Sequence, residues 1–241
     1  MKLFGVIILF MSSLGTANAL VRIGTPLFDE PFIINDGGTA VTGYDVELMQ
    51  TICTRLTWDC EFISMESSKL FSELEANEVD FVMGGQIITS AIRAKYIAST
   101  PYLISKGSFV TLKNSQIKLK ELSGKRIGAI RDRPYYDYLR TVPQLTAVPY
   151  EKVQDLASDL RNNKINAAFV NYYSAHYMAN QYPDLIQVID TDVMVGEGFG
   201  IVALPSKQAE IQQINQVLLQ FESDGTFVKL YNYYFQFFIK S

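Results

Sequence analysis

The chain has 241 residues, 48% apolar and 12% aromatic, with a formal net charge of −4 from 21 Lys and Arg against 25 Asp and Glu. That is ample apolar material for the packed cores of one large domain or two small lobes, and it excludes a disordered chain. No basic cluster is present to hold a phosphate backbone, which excludes nucleic acid as a partner.

Met1-Lys2 leads into an apolar stretch from Leu3 to Leu14 and then Gly15-Thr16-Ala17-Asn18-Ala19. A positive start, an apolar middle and a small-x-small end form a secretory signal peptide over residues 1–19, cleaved after Ala19. The rival reading, an uncleaved anchor, needs about 20 apolar residues to span a bilayer, more than this run supplies. Cleavage would remove only Lys2 among the charged groups and take the charge from −4 to −5. No Cys lies near the cleavage point to carry a lipid anchor, and no later segment is long and apolar enough to span a membrane.

Leu20 to Gly24 reads as a strand. Asp45 is positioned to cap a helix in which Val46, Met49, Ile52, Cys53 and Leu56 share a face, and Trp58 to Ile63 follows as a strand. Cys53 and Cys60 are the only cysteines, and after an export signal a disulfide between them is the natural reading. A metal pair or redox pair competes with it, although the spacing is not Cys-x-x-Cys and the sole His, His176, is distant. Leu70, Phe71 and Leu74 mark a further helix and Val79 to Met83 a further strand.

A weak internal repeat organises the rest of the chain. Leu70 to Asp80 aligns without gaps on Leu156 to Asn166, and the strand starts Arg22-Ile23-Gly24 and Arg126-Ile127-Gly128 precede them in the same order. Chance similarity of two helix-turn-strand units is the bland alternative; the repeated order points to two similar α/β lobes, each with its own sheet. Ligands of open α/β sheets bind beyond the carboxyl ends of the strands. Gly84 to Arg93 and Asn171 to His176 are therefore expected to wall one shared cleft. In the tail, Ser206 is expected to cap a helix with Ile211, Ile214, Val217, Leu218 and Phe221 on one side. Gly225 ends it, and Phe227 to Phe238 forms a second aromatic helix packed on the first lobe.

Gly43-Tyr44-Asp45-Val46-Glu47-Leu48, Thr89 with Arg93, Pro101-Tyr102, Leu122 to Gly128 and Asp224-Gly225-Thr226-Phe227 together resemble the type 2 periplasmic binding proteins of polar amino-acid ABC importers. The match runs in order over essentially the whole mature chain. The Cys53/Cys60 spacing is similar to that of the lysine/arginine/ornithine and histidine binding members. The resemblance implies a two-lobed type II fold, each lobe a mixed sheet flanked by helices, joined by two crossover hinge strands. Lobe I would comprise residues 20–105 and 202–241, and lobe II residues 106–201. It further implies a monomer in the periplasm that closes on a small amino-acid-like ligand, polar or basic, and delivers it to a membrane permease, with no cofactor and no metal.

A dry cleft must satisfy both charged ends of an amino acid. Arg93 is the candidate for the carboxylate, since its planar fork suits a bidentate pair; as an isolated Arg it would read as a surface ion pair. Thr89 matches the family Thr, although four steps separate Thr89 from Arg93 where the family has three. Gly85, in the Gly84-Gly85 turn, lets backbone approach a ligand. Phe28 is the candidate for stacking, since Asp29 stands where the family usually places an aromatic platform. The lobe II loop reads Asp132-Arg133-Pro134, and Pro134 has no N–H to donate. The acid that usually pairs the ligand ammonium falls on Asn171, which accepts a hydrogen bond but brings no charge. Asp29 and Glu197 could supply the missing negative charge and Arg133 a second cation; each could equally be a solvated loop charge.

No multi-His site, free thiol, Walker loop or dinucleotide loop is present, so the chain is read as a binding protein and not an enzyme. The enzyme alternative is a periplasmic cyclohexadienyl dehydratase-like lyase, with Glu197, Asp29 or Glu30 as general acid. A ligand-sensing protein for a receptor would share the same lobes and cleft.

Overall fold

The computed structural model describes residues 20–35, 37, 41–131 and 133–236. The expected signal peptide and cleavage point lie outside the described residues, as does Asp132. Among the described residues, no helix is long and apolar enough to cross a membrane.

Two mixed five-stranded sheets, each flanked by helices, build a two-lobed molecule. In chain order, lobe I begins with β1 (Leu20–Pro26), α1 (Tyr44–Leu56), β2 (Asp59–Met65), α2 (Leu70–Glu75), β3 (Phe81–Val82), α3 (Ser90–Lys95) and β4 (Ile97–Ala98). Lobe II holds β5 (Lys106–Leu112), β6 (Arg126–Ile130), α4 (Pro134–Arg140), β7 (Thr146–Tyr150), α5 (Val153–Arg161), β8 (Ala167–Asn171), α6 (Tyr172–Gln181) and β9 (Ile186–Met194). The chain then returns through β10 (Val202–Ala203), α7 (Gln208–Asp224) and α8 (Thr226–Tyr234). The strand orders are β2-β1-β3-β10-β4 and β7-β6-β8-β5-β9, with β10 antiparallel to its neighbours in the first sheet and β5 in the second.

The sequence repeat has a shared hydrogen-bond pattern beneath it. In lobe I the Arg22 N–H donates to Asp80 Oδ2 at 2.9 Å and the Asp80 N–H donates back to the Arg22 carbonyl at 2.8 Å. In lobe II the Arg126 N–H donates to Asn166 Oδ1 at 3.0 Å and the Asn166 N–H to the Arg126 carbonyl at 2.8 Å. An acid or amide one residue after Val79 or Ile165 thus ties β1 or β6 to the turn that feeds the neighbouring strand, β3 or β8.

Several local expectations are corrected. Asp45 does not cap α1; Gly43 stands at that position, and the Asp45 side chain reaches across to the turn after β3. Ser206 lies in a short 3₁₀ turn, Pro205–Lys207, ahead of α7, with no side-chain cap. The last helix starts at Thr226 and ends at Tyr234 where Phe227 to Phe238 was expected, and residues 237 and 238 lie outside the described residues. The α7 face carrying Ile211, Ile214, Val217, Leu218 and Phe221 is buried as the helical period requires. Each such side chain contributes about 1.5–3 kcal/mol. Cys53 of α1 and Cys60 of β2 form the disulfide.

Two segments cross between the lobes and bond to each other. The Ser99 N–H donates to the Ile201 carbonyl (2.9 Å), the Phe199 N–H to the Leu103 carbonyl (2.8 Å) and the Val195 N–H to the Ser105 carbonyl (3.1 Å).

Candidate functional site

The cleft floor is built where the first turn of α1 meets the turn after β3. Asp45 is fully buried, and its Oδ2 accepts three hydrogen bonds, from the N–H groups of Gly85 (2.8 Å) and Gly84 (3.0 Å) and the hydroxyl of Tyr102 (2.7 Å). Its Oδ1 is buried with no hydrogen-bond partner. Burial pushes the Asp45 carboxyl up to about 7, against the hydrogen bonds of Gly85 and Tyr102, and the nearby Asp29 adds to the rise. Both glycines are required here. They sit at φ +105° and +63°, and a Cβ would lie 2.4 Å from Pro26 Cδ at position 84 and 2.7 Å from Asp29 Oδ2 at position 85.

Asp29 is brought onto this floor by a tight turn. The Asp29 carbonyl accepts from the N–H groups of Phe32 (2.8 Å) and Ile33 (3.0 Å), and the Asp29 N–H donates to the Ile33 carbonyl (3.0 Å). Burial raises the Asp29 carboxyl above its ordinary value, and the Arg133 guanidinium opposes that rise. Arg133 comes from the other lobe, at the residue preceding α4. Its Nη1 lies 3.8 Å from Asp29 Oδ2 and its Nη2 donates to Ser67 Oγ at 3.2 Å.

A second cross-lobe contact runs from Ser174 Oγ to the Glu30 carbonyl at 2.6 Å. A third is apolar: the buried ring of Tyr173, from α6, lies 5.8 Å from Phe32, 4.7 Å from Phe235 and 6.4 Å from Tyr231. Lobe II is therefore closed onto lobe I along one line that carries a charge pair, a hydrogen bond and an aromatic plug.

The residues singled out in the sequence divide into two groups. Asp29, Gly85 and Arg133 meet at the interlobe floor. Phe28, beside Asp29, keeps 44% of its surface exposed. Arg93 is not free: its Nε and Nη2 form a bidentate pair with Glu197, at 2.7–2.9 Å, between α3 and the crossing segment. Both side chains remain over two-fifths exposed, and the pair lowers the Glu197 carboxyl below its ordinary value. Arg93, the candidate for a ligand carboxylate, and Glu197, a candidate for the missing negative charge, neutralise each other in this structure. Thr89 Oγ1 accepts from the Ile92 N–H (3.2 Å) and caps α3. Asn171 caps α6 in the same way, with Oδ1 accepting from the Ser174 N–H at 2.7 Å and Nδ2 donating to Ser174 Oγ at 2.8 Å. An amide in place of an acid at 171 thus positions the serine that reaches lobe I.

Asp45, Ser67 and Tyr102 join the candidate site without having been expected there, whereas Tyr173 and Ser174 lie in the Asn171 to His176 wall that was expected. The signal for Asp45 and Tyr102 was present, since both lie in motifs that carry the family resemblance, but periodicity assigned the first to a cap and gave the second no role. Nothing local marks Ser67, whose partner Arg133 lies in the opposite lobe.

Comparison with known proteins gives one consistent result. The profile of the Bacterial extracellular solute-binding proteins, family 3, matches residues 21–237. A putative ABC transporter arginine-binding protein 2 of Escherichia coli is 27% identical over 92% of this chain and 93% of its own length. The histidine-binding periplasmic protein of Salmonella typhimurium is 27% identical over 90% of this chain and 88% of its own. The crystal structure of an arginine 3rd transport system periplasmic binding protein from Legionella pneumophila superposes with a TM-score of 0.82 at 32% identity, covering 89% of this chain and 98% of that one.

Proposed function

From the premise that this chain belongs to the family 3 bacterial extracellular solute-binding proteins, we propose that it binds a basic amino acid, with L-arginine the first candidate, between Asp29 and Arg133. One observation carries the reading: a carboxylate of one lobe and a guanidinium of the other face each other across the closed cleft at 3.8 Å, wider than a direct hydrogen bond. An amino acid taken up when the lobes part would replace this contact, its ammonium on Asp29 and its carboxylate on Arg133, and both partly buried charges would gain a partner at bonding distance. Among amino acids, a cationic side chain is preferred. Relatives described as arginine- and histidine-binding support that choice.

The periplasm is the proposed location, reached by cleavage after Ala19, and a membrane permease the proposed recipient of the ligand, with the protein acting as a monomer. The proposal is of binding without chemistry. Of the acids named for the dehydratase alternative, Glu197 is held as a carboxylate by Arg93 and has no proton to give at neutral pH.

The test is a thermal-shift screen of the mature chain against the amino acids, since a ligand that binds only the folded state raises its stability by mass action. Arginine or another basic amino acid should raise Tm. Asp29→Asn should weaken binding by about 2–5 kcal/mol, the usual cost of removing one partner of a buried charge contact. A screen in which only acidic or apolar amino acids raise Tm would refute the assignment.

A further inference from the structure

On the outer edge of the lobe junction lies a groove of about 470 Å³, apart from the Asp29–Arg133 pair. Lobe I contributes Pro31 and the Tyr233–Tyr234 pair; lobe II contributes Tyr177, Asn180 and Gln181 from the end of α6. Pro31 follows Glu30, whose carbonyl accepts from Ser174, so both walls meet only while the lobes are closed.

The rings are held. The Tyr234 hydroxyl donates to Glu47 Oε2 at 2.9 Å and its ring packs against Tyr44 at 6.1 Å, which fixes it in the groove wall. Tyr233 packs edge-on against Tyr234 at 4.9 Å and 77° and keeps 69% of its surface exposed. Tyr177 shares a hydrogen bond with Gln181, which orients the amide.

The chemistry of the lining selects its ligand by elimination. None of the described side chains lining the groove carries a formal charge, so a charged ligand would lose its hydration without gaining a counter-ion. A wholly apolar ligand would leave the hydrogen-bonding capacity of the exposed Asn180 and Gln181 amides unused. What remains is a molecule with apolar ring faces and neutral hydroxyls around its edge. We propose that this groove is a second ligand site, for a neutral saccharide, with pyranose faces on the tyrosine rings and hydroxyls on the amides. Its volume falls in the range of small-molecule sites, about 300–1,000 Å³.

The experiment is isothermal titration of the mature chain with maltose, cellobiose and N,N′-diacetylchitobiose, repeated with Tyr233→Ala and Gln181→Ala. Both positions are exposed, so each variant should keep its circular dichroism spectrum and its amino-acid binding. The expected result is saturable binding of at least one disaccharide, weakened about tenfold or more in both variants. Absence of binding by all three up to about 10 mM overturns the proposal, and so does binding that both variants retain unchanged.

Discussion

Arg93 and Arg133 are both arginines near the cleft, and their surroundings give them opposite uses. Arg93 lies on the exposed side of α3, where Glu197 of the crossing segment satisfies it in solvent. Arg133 is only a quarter exposed and meets Asp29 and Ser67 of the opposite lobe. Exposed pairs are worth about 0–1 kcal/mol. A double-mutant cycle of Arg93→Ala and Glu197→Ala should therefore show weak coupling and leave arginine affinity within about twofold; a tenfold loss would return Arg93 to the ligand. Asp45 makes a separate prediction. Its folded-state value of about 7 lies above the ordinary 3.8, so between about pH 4 and 7 the folded chain keeps a proton that the unfolded chain has released. Stability from this group falls as pH rises through that window, by at most about 1.4 kcal/mol per unit. Wild type should gain on Asp45→Asn in chemical denaturation as pH is lowered from 8 to 5; parallel profiles would show that the carboxyl is ionised throughout.

At the level of elements, α6 does more than cover a sheet. Its first turn is capped by Asn171, which sets Ser174 against the Glu30 carbonyl and Tyr173 into the aromatic cluster of Phe32, Phe199 and Phe235. Truncating a buried aromatic costs about 3–5 kcal/mol. Tyr173→Ala should lose stability on that scale and, because its partners lie in lobe I, should also increase the radius of gyration in small-angle scattering. A stability loss with unchanged dimensions would confine the ring's role to packing. The elements themselves were largely legible. The 3.6-residue period located the buried face of α7, and the Arg-Ile-Gly and Leu-to-Asp/Asn repeat located two matching sheets, because both are set by neighbours in sequence. Helix starts were less legible. Asp45 and Ser206 have the chemistry of caps, but tertiary contacts took the first and a 3₁₀ turn absorbed the second.

For the whole molecule, the family resemblance was legible because its motifs sit at strand ends and turns, where backbone geometry dictates residue type. The site was half legible. Asp29, Gly85 and Arg133 could be named from their departures from, or agreement with, the family pattern. Their meeting could not be, since it depends on how one lobe settles on the other, and so does the loss of Arg93 to Glu197 over 104 residues of chain. The closed lobes bring an anion of one, Asp29, against a cation of the other, Arg133, and in the proposed function a zwitterion replaces that contact and holds both lobes. A crystal structure of the mature protein with L-arginine tests this most directly. The expected structure has the ligand ammonium on Asp29, its carboxylate on Arg133, and Arg93 still paired with Glu197. A ligand carboxylate gripped by Arg93, with Asp29 and Arg133 still facing each other, would contradict it.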